Sequence, residues 1–128
     1  RLFLNWKSKR LGARARRFLH NFRTHEPQLE VAVLTDDECS TLAAFYPDLG
    51  DRYEALPLAV MRADICRVLA VYYFGGMYKD LDIDWRMPLR EWLDPTLPVA
   101  YGWEDREHLC QWFFAARPGN PCLRNILQ

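Results

Sequence analysis

RADICRVLAVYYFGGMYKDLDIDW, Arg62 to Trp85, is the stretch from which the rest of this chain can be read. Its first part closes a helix that Pro57 starts and Gly75 stops, PLAVMRADICRVLAVYYF. That helix is apolar nearly all round, so it is expected to be buried. Gly75-Gly76 supplies the backbone freedom to turn a helix end straight back into a strand. The strand then sets Asp80, Asp82 and Asp84 at alternate positions. In an extended chain such acids share one face, about 7 Å apart, with Met77, Lys79, Leu81 and Ile83 opposite. Three carboxylates on one edge repel one another unless a cation or proton offsets them. An isolated D-x-D reads as a solvated strand face. Behind a buried helix, unpaired carboxylates are costly, which points to a divalent metal site.

The flanking sequence supplies a sheet for that strand. RLFLNW (1–6) reads as a short buried strand ending in Trp6. From Arg10 to Arg23, the apolar Leu11, Ala15, Phe18, Leu19 and Phe22 mark one helical face, and Arg10, Arg14, Arg16 and Arg17 fall largely off it. LEVAVLT (29–35) is a second strand, apolar and β-branched. Strand, helix and strand in this order predict a βαβ unit and a parallel sheet. Asp36, Asp37 and Glu38 suit the cap and first turn of a short helix through Phe45, followed by a turn-rich connection over 46–56. Beyond the acids, Pro88, Pro95 and Pro98 punctuate a surface segment with one short helical turn, REWL. LPVAYGW (97–103) and LCQWFFAA (109–116) read as strands, and Asn120 with Pro121 opens a closing helix. The expected fold is one α/β domain over 1–128, a mostly parallel sheet flanked by helices.

Composition bounds the function. Of 128 residues, 50% are hydrophobic, enough for one modest core. The chain starts at Arg1 and stops within what reads as an unfinished helix, so it is expected to be a truncated piece of something longer. Residues 1–25 hold eight Lys/Arg and no Asp/Glu, leaving nine basic and seventeen acidic residues from Glu26 onward. The basic end reads first as the cationic outer face of a helix, and second as a surface for phosphates or an anionic membrane. No nucleic-acid partner is expected. No apolar run approaches the ~20 residues that span a bilayer, so membrane association is expected only through segments absent from this sequence. The four cysteines show no C-x-x-C and no zinc-like spacing. Cys66 reads as a plain core thiol, and a Cys110–Cys122 disulfide is left open.

Around the acids, several residues are candidates. Asp64 and Arg67, at i and i+3, point the same way. They read either as an internal ion pair or as groups turned toward the acidic strand, Asp64 accepting sugar hydroxyls and Arg67 meeting a sugar or phosphate. Tyr78 shares the acids' face, for stacking on a ligand or for plain core packing. Trp6 ends a strand where ligand crevices form, and is read as a cover for a nucleotide base or as a structural tryptophan. Glu104 and Asp105 are candidates to complete a site or simply loop acids, and His20, His25 and His108 read as surface residues. A hard cation, Mn²⁺ or Mg²⁺, binds through one or two carboxylates plus substrate phosphates, so the natural ligand is a diphosphate.

These residues fall into a known pattern. R-x-D-h-x-R, an apolar stretch, then G-G-h-Y-x-D-h-D (h apolar) is matched in order and spacing by Arg62, Asp64, Arg67, Gly75, Gly76, Tyr78, Asp80 and Asp82. The stretch resembles glycosyltransferase family 32, the transferases with a DXD sugar-binding region. That family includes yeast-type α-1,6-mannosyltransferases, α-1,4-galactosyltransferases and, more distantly, clostridial glucosylating toxins. LFLNWKS and FFAARPGNP carry weaker similarity. The resemblance implies a GT-A fold, a nucleotide-sugar donor, Mn²⁺ and retention of anomeric configuration, with a carbohydrate, lipid or protein acceptor. It implies that Asp80 and Asp82 form the catalytic metal pair, Asp82 on the metal directly and Asp80 through the donor and a metal-bound water. It implies that Asp64 and Arg67 hold the transferred sugar, Tyr78 lines the donor pocket and Trp6 stacks near the base. Asp84 is an acid beyond the motif. Lys79 replaces a commonly apolar residue and suggests a less buried opposite face.

Two other readings compete. A haloacid-dehalogenase-like phosphatase also uses D-x-D, but on its first strand rather than mid-chain. A non-catalytic module holding a nucleotide sugar or a protein partner is the other.

Overall fold

The computed structural model describes residues 1–128. Five strands form one sheet: β1 (Leu2–Asn5), β2 (Val31–Leu34), β3 (Gly76–Lys79), β4 (Val99–Trp103) and β5 (Leu109–Ala116), in the order β2-β1-β3-β5-β4. β1 runs parallel to both β2 and β3, with Phe3 opposite Ala32 and Tyr78. β5 is antiparallel to β3 and to β4, placing Phe114 between Tyr78 and Tyr101. The sheet is therefore mixed, a parallel half joined to an antiparallel hairpin.

Alternation along the strands builds two cores. Phe3, Tyr78 and Phe114 face one side, where they meet α2 (Asp36–Phe45), α3 (Gly50–Glu54), α4 (Ala59–Phe74) and α5 (Pro121–Leu127). Leu2, Leu4, Met77 and Phe113 face the other, with Phe22 of α1 (Ala13–His25) and Trp85. The chain leaves β1 toward one face and returns to β3 from the other. Strand order thus reverses at β1, and the crevice at the carboxyl ends of β1 and β3 is a topological switch point, where open α/β sheets bind ligands.

Local chemistry sets the elements. Thr35 caps α2 in a reciprocal box: its hydroxyl accepts from Glu38 N, and Glu38 Oε2 accepts from Thr35 N at 2.8 Å. Asn120 accepts from Cys122 N and Pro121 opens α5. Between α4 and β3, Gly75 has φ +63° and Gly76 φ +109°. A Cβ on Gly76 would stand 2.5 Å from the carbonyl oxygen of Arg1, the acceptor for Met77 N. Only glycine lets β3 start flush against β1.

Three expectations are corrected. The extended segment ends at Lys79: Ile83 N donates to Asp80 O at 3.2 Å, so the acids occupy a turn rather than a strand face. α4 is buried only over Cys66–Val71, while Leu58, Val60 and Met61 at its start and Phe74 at its end are exposed. Apolar patterning does not tell a covered face from an open one. Cys66 is not a free thiol but is disulfide-bonded to Cys39, joining α4 to α2 across 27 residues, while Cys110 and Cys122 are free.

Two outcomes test this framework. Gly76→Ala should cost about 2–4 kcal/mol in urea unfolding, since both the backbone conformation and the Arg1 carbonyl oppose it; a loss under about 0.5 kcal/mol would contradict the close β1–β3 start. Reducing the chain with dithiothreitol should lower Tm by on the order of 10 °C, the chain-entropy value for a loop of this length. An unchanged Tm would reject the Cys39–Cys66 pairing.

Candidate active site

The end of β3, the end of β1 and the middle of α4 converge on one charged network. Arg67, on the sheet-facing side of α4, is buried. Its Nη2 donates to Asp64 Oδ1 at 2.5 Å, one turn back on the same helix. Its Nη1 donates to the backbone oxygen of Gln111 at 3.0 Å and lies 3.6 Å from Asp80 Oδ1. The guanidinium also covers the Tyr78 ring at 4.9 Å. Tyr78 in turn donates its hydroxyl to Asp80 Oδ1 at 2.5 Å. Burial, followed by the hydrogen bond to Asp80, pushes the Tyr78 pKa far up, so this phenol stays a donor at ordinary pH. Asp64 and Arg67 are an ion pair, as one reading expected, and the same guanidinium also faces the acidic turn.

Beside this network lies a cavity of about 460 Å³ lined by Trp6, Arg67, Tyr78, Asp80 and Asp82, among others. Asp82 is exposed, and Asp84 is turned away: it does not line the cavity, and its Oδ1 accepts from Trp85 N at 3.2 Å. Of the six residues expected in the site, five line this cavity, and Asp64 joins through Arg67. Glu104 and Asp105 lie apart in the exposed β4–β5 connection, where Asp105 accepts from the His108 ring and backbone. His20 is exposed as expected, and His25 bonds Asn21 O within its own helix.

The donor set bears on a metal. No three His, Cys, Asp or Glu side chains gather into a closed cage. Two carboxylates at a cavity mouth fit a hard cation that completes its shell with water and phosphate oxygens, and do not fit a structural zinc or a dedicated calcium cage.

Residues 12–98 match the family described as glycosyltransferase sugar-binding region containing DXD motif. The chain belongs to this family. It is similar to the initiation-specific alpha-1,6-mannosyltransferase of Candida albicans, 24% identical, over 98% of this chain and 40% of that protein. The Schizosaccharomyces pombe protein of that name is 27% identical, over 84% of this chain and 33% of its own length. Inositol phosphoceramide mannosyltransferase 3 of S. pombe is 33% identical, over 56% of this chain and 19% of that protein. The chain thus spans well under half the length of these relatives. Among solved structures it resembles the PaToxG glycosyltransferase, with TM-score 0.68 and 13% identity, over 98% of this chain and 56% of that one. That likeness shows the fold, and the α/β sheet described above is GT-A-like.

In this DXD-family chain, sequence reading missed three residues around the crevice. Asn5, at the end of β1, donates to Ala63 O at 2.9 Å and lines the cavity, as does Arg14, whose place on α1 reads as plain solvated charge. Lys79 is the larger surprise. Expected on a less buried face, it is 1% exposed, and its Nζ donates to the carbonyls of Asp80 at 2.9 Å and Ile83 at 2.8 Å. The ammonium therefore staples the acidic turn from beneath. On the turn's far side, Asn21 Oδ1 accepts from Trp85 N and Glu26 Oε1 from Leu89 N, both from α1 and its C-terminal end. The only sequence signal was a lysine at an apolar position, which alternation alone reads as exposure.

Burial lowers the Lys79 pKa to about 8, against an upward pull from Asp82, Asp80 and Asp84. The unfolded chain holds that proton to about pH 10.4, so the unfolded state binds more protons above pH 8 and stability should rise with pH. Between pH 8 and 9.5 the gain should be about 1–2 kcal/mol by urea unfolding. Lys79→Met should flatten that slope, and an unchanged slope would refute this account of Lys79.

Proposed function

We propose that this chain is the donor-binding core of a retaining glycosyltransferase that moves a hexose from a UDP- or GDP-sugar to a carbohydrate, lipid or protein acceptor, using Mn²⁺ or Mg²⁺. The observation that carries the reading is the single network Asp64–Arg67–Asp80–Tyr78 at the switch-point crevice, beside the cavity that Asp82 and Trp6 also line. Asp80 and Asp82 hold the ion together with the donor diphosphate. When bound, the ion supplies positive charge against the leaving diphosphate.

The chain's own groups do the rest. Tyr78 donates to one oxygen of Asp80 and leaves the other for the ligand shell. Asp64 accepts hydroxyls of the transferred sugar, and Arg67 fixes that carboxylate while turning its positive face toward donor oxygens. Trp6, with 37% of its surface exposed at the crevice, covers the base. The network offers no side chain as an obvious nucleophile. Retention then follows if the acceptor attacks from the face the diphosphate leaves, and the diphosphate takes the acceptor proton. Arg14 also lines the cavity and adds a cation near the phosphates. The D-x-D follows the third strand, not the first, and this speaks against the phosphatase reading.

Hydrolysis or transfer is measured over a panel of UDP- and GDP-sugars, with Mn²⁺ or with EDTA. Turnover should require the ion, and Asp82→Asn should lower kcat/KM by about 10²–10³-fold, in the range for removing one charge-stabilising group. Tm should stay within about 2 °C, because Asp82 is exposed. Turnover undiminished in EDTA, or an unaffected Asp82→Asn, would remove the metal pair from the mechanism. Nucleotide binding without turnover would favour the non-catalytic module.

A further inference from the structure

A second, larger cavity of about 820 Å³ lies on the other side of Arg67, between α4, the β4–β5 hairpin and α5. Arg67 lines both cavities, whereas Asp64 lines only this one. Most of the lining is apolar, from Ile65, Val68, Phe114 and their neighbours, and its polar members include Asp64, Arg67 and Gln111. Tyr101 stacks on Phe114 at 5.5 Å and 19°, making an aromatic wall. Its hydroxyl is buried without a partner, an orphan donor costing roughly 1–3 kcal/mol unless a ligand or water meets it. An apolar cavity of this size, with a few convergent polar groups at one end, has the makeup of a ligand site.

We propose that this cavity is the acceptor site and that the acceptor is an amphiphile, its hydroxyl-bearing head group beside the transferred sugar at the Asp64–Arg67 end and its apolar segment along Ile65, Val68 and Phe114. The inference rests on the transferase reading, which places the transferred sugar at Asp64 and Arg67. Because Asp64 lines only this cavity, the transferred sugar held there reaches its charged end, and a head group packed against that sugar is next to the anomeric carbon. The acceptor O–H oxygen forms the new bond to that carbon as the bond to the diphosphate oxygen breaks. The proton passes to the released diphosphate, and nothing is oxidised or reduced.

Cys122 is free, exposed and part of the cavity lining, whereas Cys110 is buried, so alkylation of Cys122 reports occupancy without turnover. The rate of its reaction with N-ethylmaleimide is followed by mass spectrometry, with octyl or methyl glycosides of mannose, galactose and glucose below their micellar concentrations. Each buried methylene is worth roughly fourfold in affinity, so burying even three should make the octyl compound protect at concentrations ~30-fold or more below the methyl one. UDP or GDP with Mn²⁺ should leave the rate unchanged. Equal lack of protection by octyl and methyl glycosides overturns the proposal even where nucleotide binding is intact. Protection by nucleotide alone puts the donor in this cavity, and protection rising with protein concentration without ligand puts a second copy over it; either overturns the proposal. Octyl protection with no nucleotide binding fails the transferase reading and removes the acceptor role, leaving only an amphiphile site.

Discussion

Everything in this molecule leans on where one guanidinium is placed. Arg67 is buried in α4 between two carboxylates, a strand carbonyl and a tyrosine ring. A buried cation is tolerated only with such company: stripping a partner from a buried pair typically costs about 3–5 kcal/mol. That requirement fixes relations between distant parts of the chain. Asp64 must precede by one helical turn, the end of β3 must deliver Asp80, and β5 must offer the Gln111 carbonyl. The same contacts that make the charge affordable assemble the candidate site.

The geometry of the acids follows from a second cation. An extended D-x-D-x-D would hold three carboxylates in a row with nothing to offset them. The chain bends instead, and the ammonium of Lys79 sits beneath the bend on two carbonyls. Two of the acids then face the crevice and the third serves as a local acceptor for Trp85. A divalent ion at such a turn would meet carboxylates already oriented, with a positive charge nearby. Both effects are electrostatic and of opposite sign, so the affinity of the turn for metal depends on their balance.

Much of this was legible in the sequence. β5 falls on LCQWFFAA, α4 stops at Gly75, and Asn120 caps α5, because apolar alternation, a glycine stop and an Asx cap are local signals. Spacing left Asp64 and Arg67 as an internal pair or as groups facing the acids, and the family resemblance joined them to Tyr78 and Asp80. What escaped was non-local. Leu81 and Ile83 are half-buried and so mimic a strand beyond the point where the strand ends. Lys79 is buried by a turn that curls over it, and the Cys39–Cys66 bond depends on α2 lying against α4. Arg14 reaches the crevice because the start of α1 lines the same cavity as the ends of β1 and β3, which no helical wheel reveals. The open face of Leu58, Val60 and Met61 has the same origin: a pattern shows which residues are apolar, not what lies across from them.

The Cys39–Cys66 bond gives the intervening stretch the topology of a closed ring. It encloses most of α2, all of α3 and the first two turns of α4, and it closes at the residue next to Arg67. A nick by a protease in the exposed turns between Tyr46 and Pro57 would open the ring without releasing either end. The N-terminal piece, with β1, β2 and Trp6, would stay covalently tied through sulfur to the piece that carries Asp64, Arg67 and the acids, even with the peptide chain cut. The two halves of the site are thereby insured against a cut in that loop.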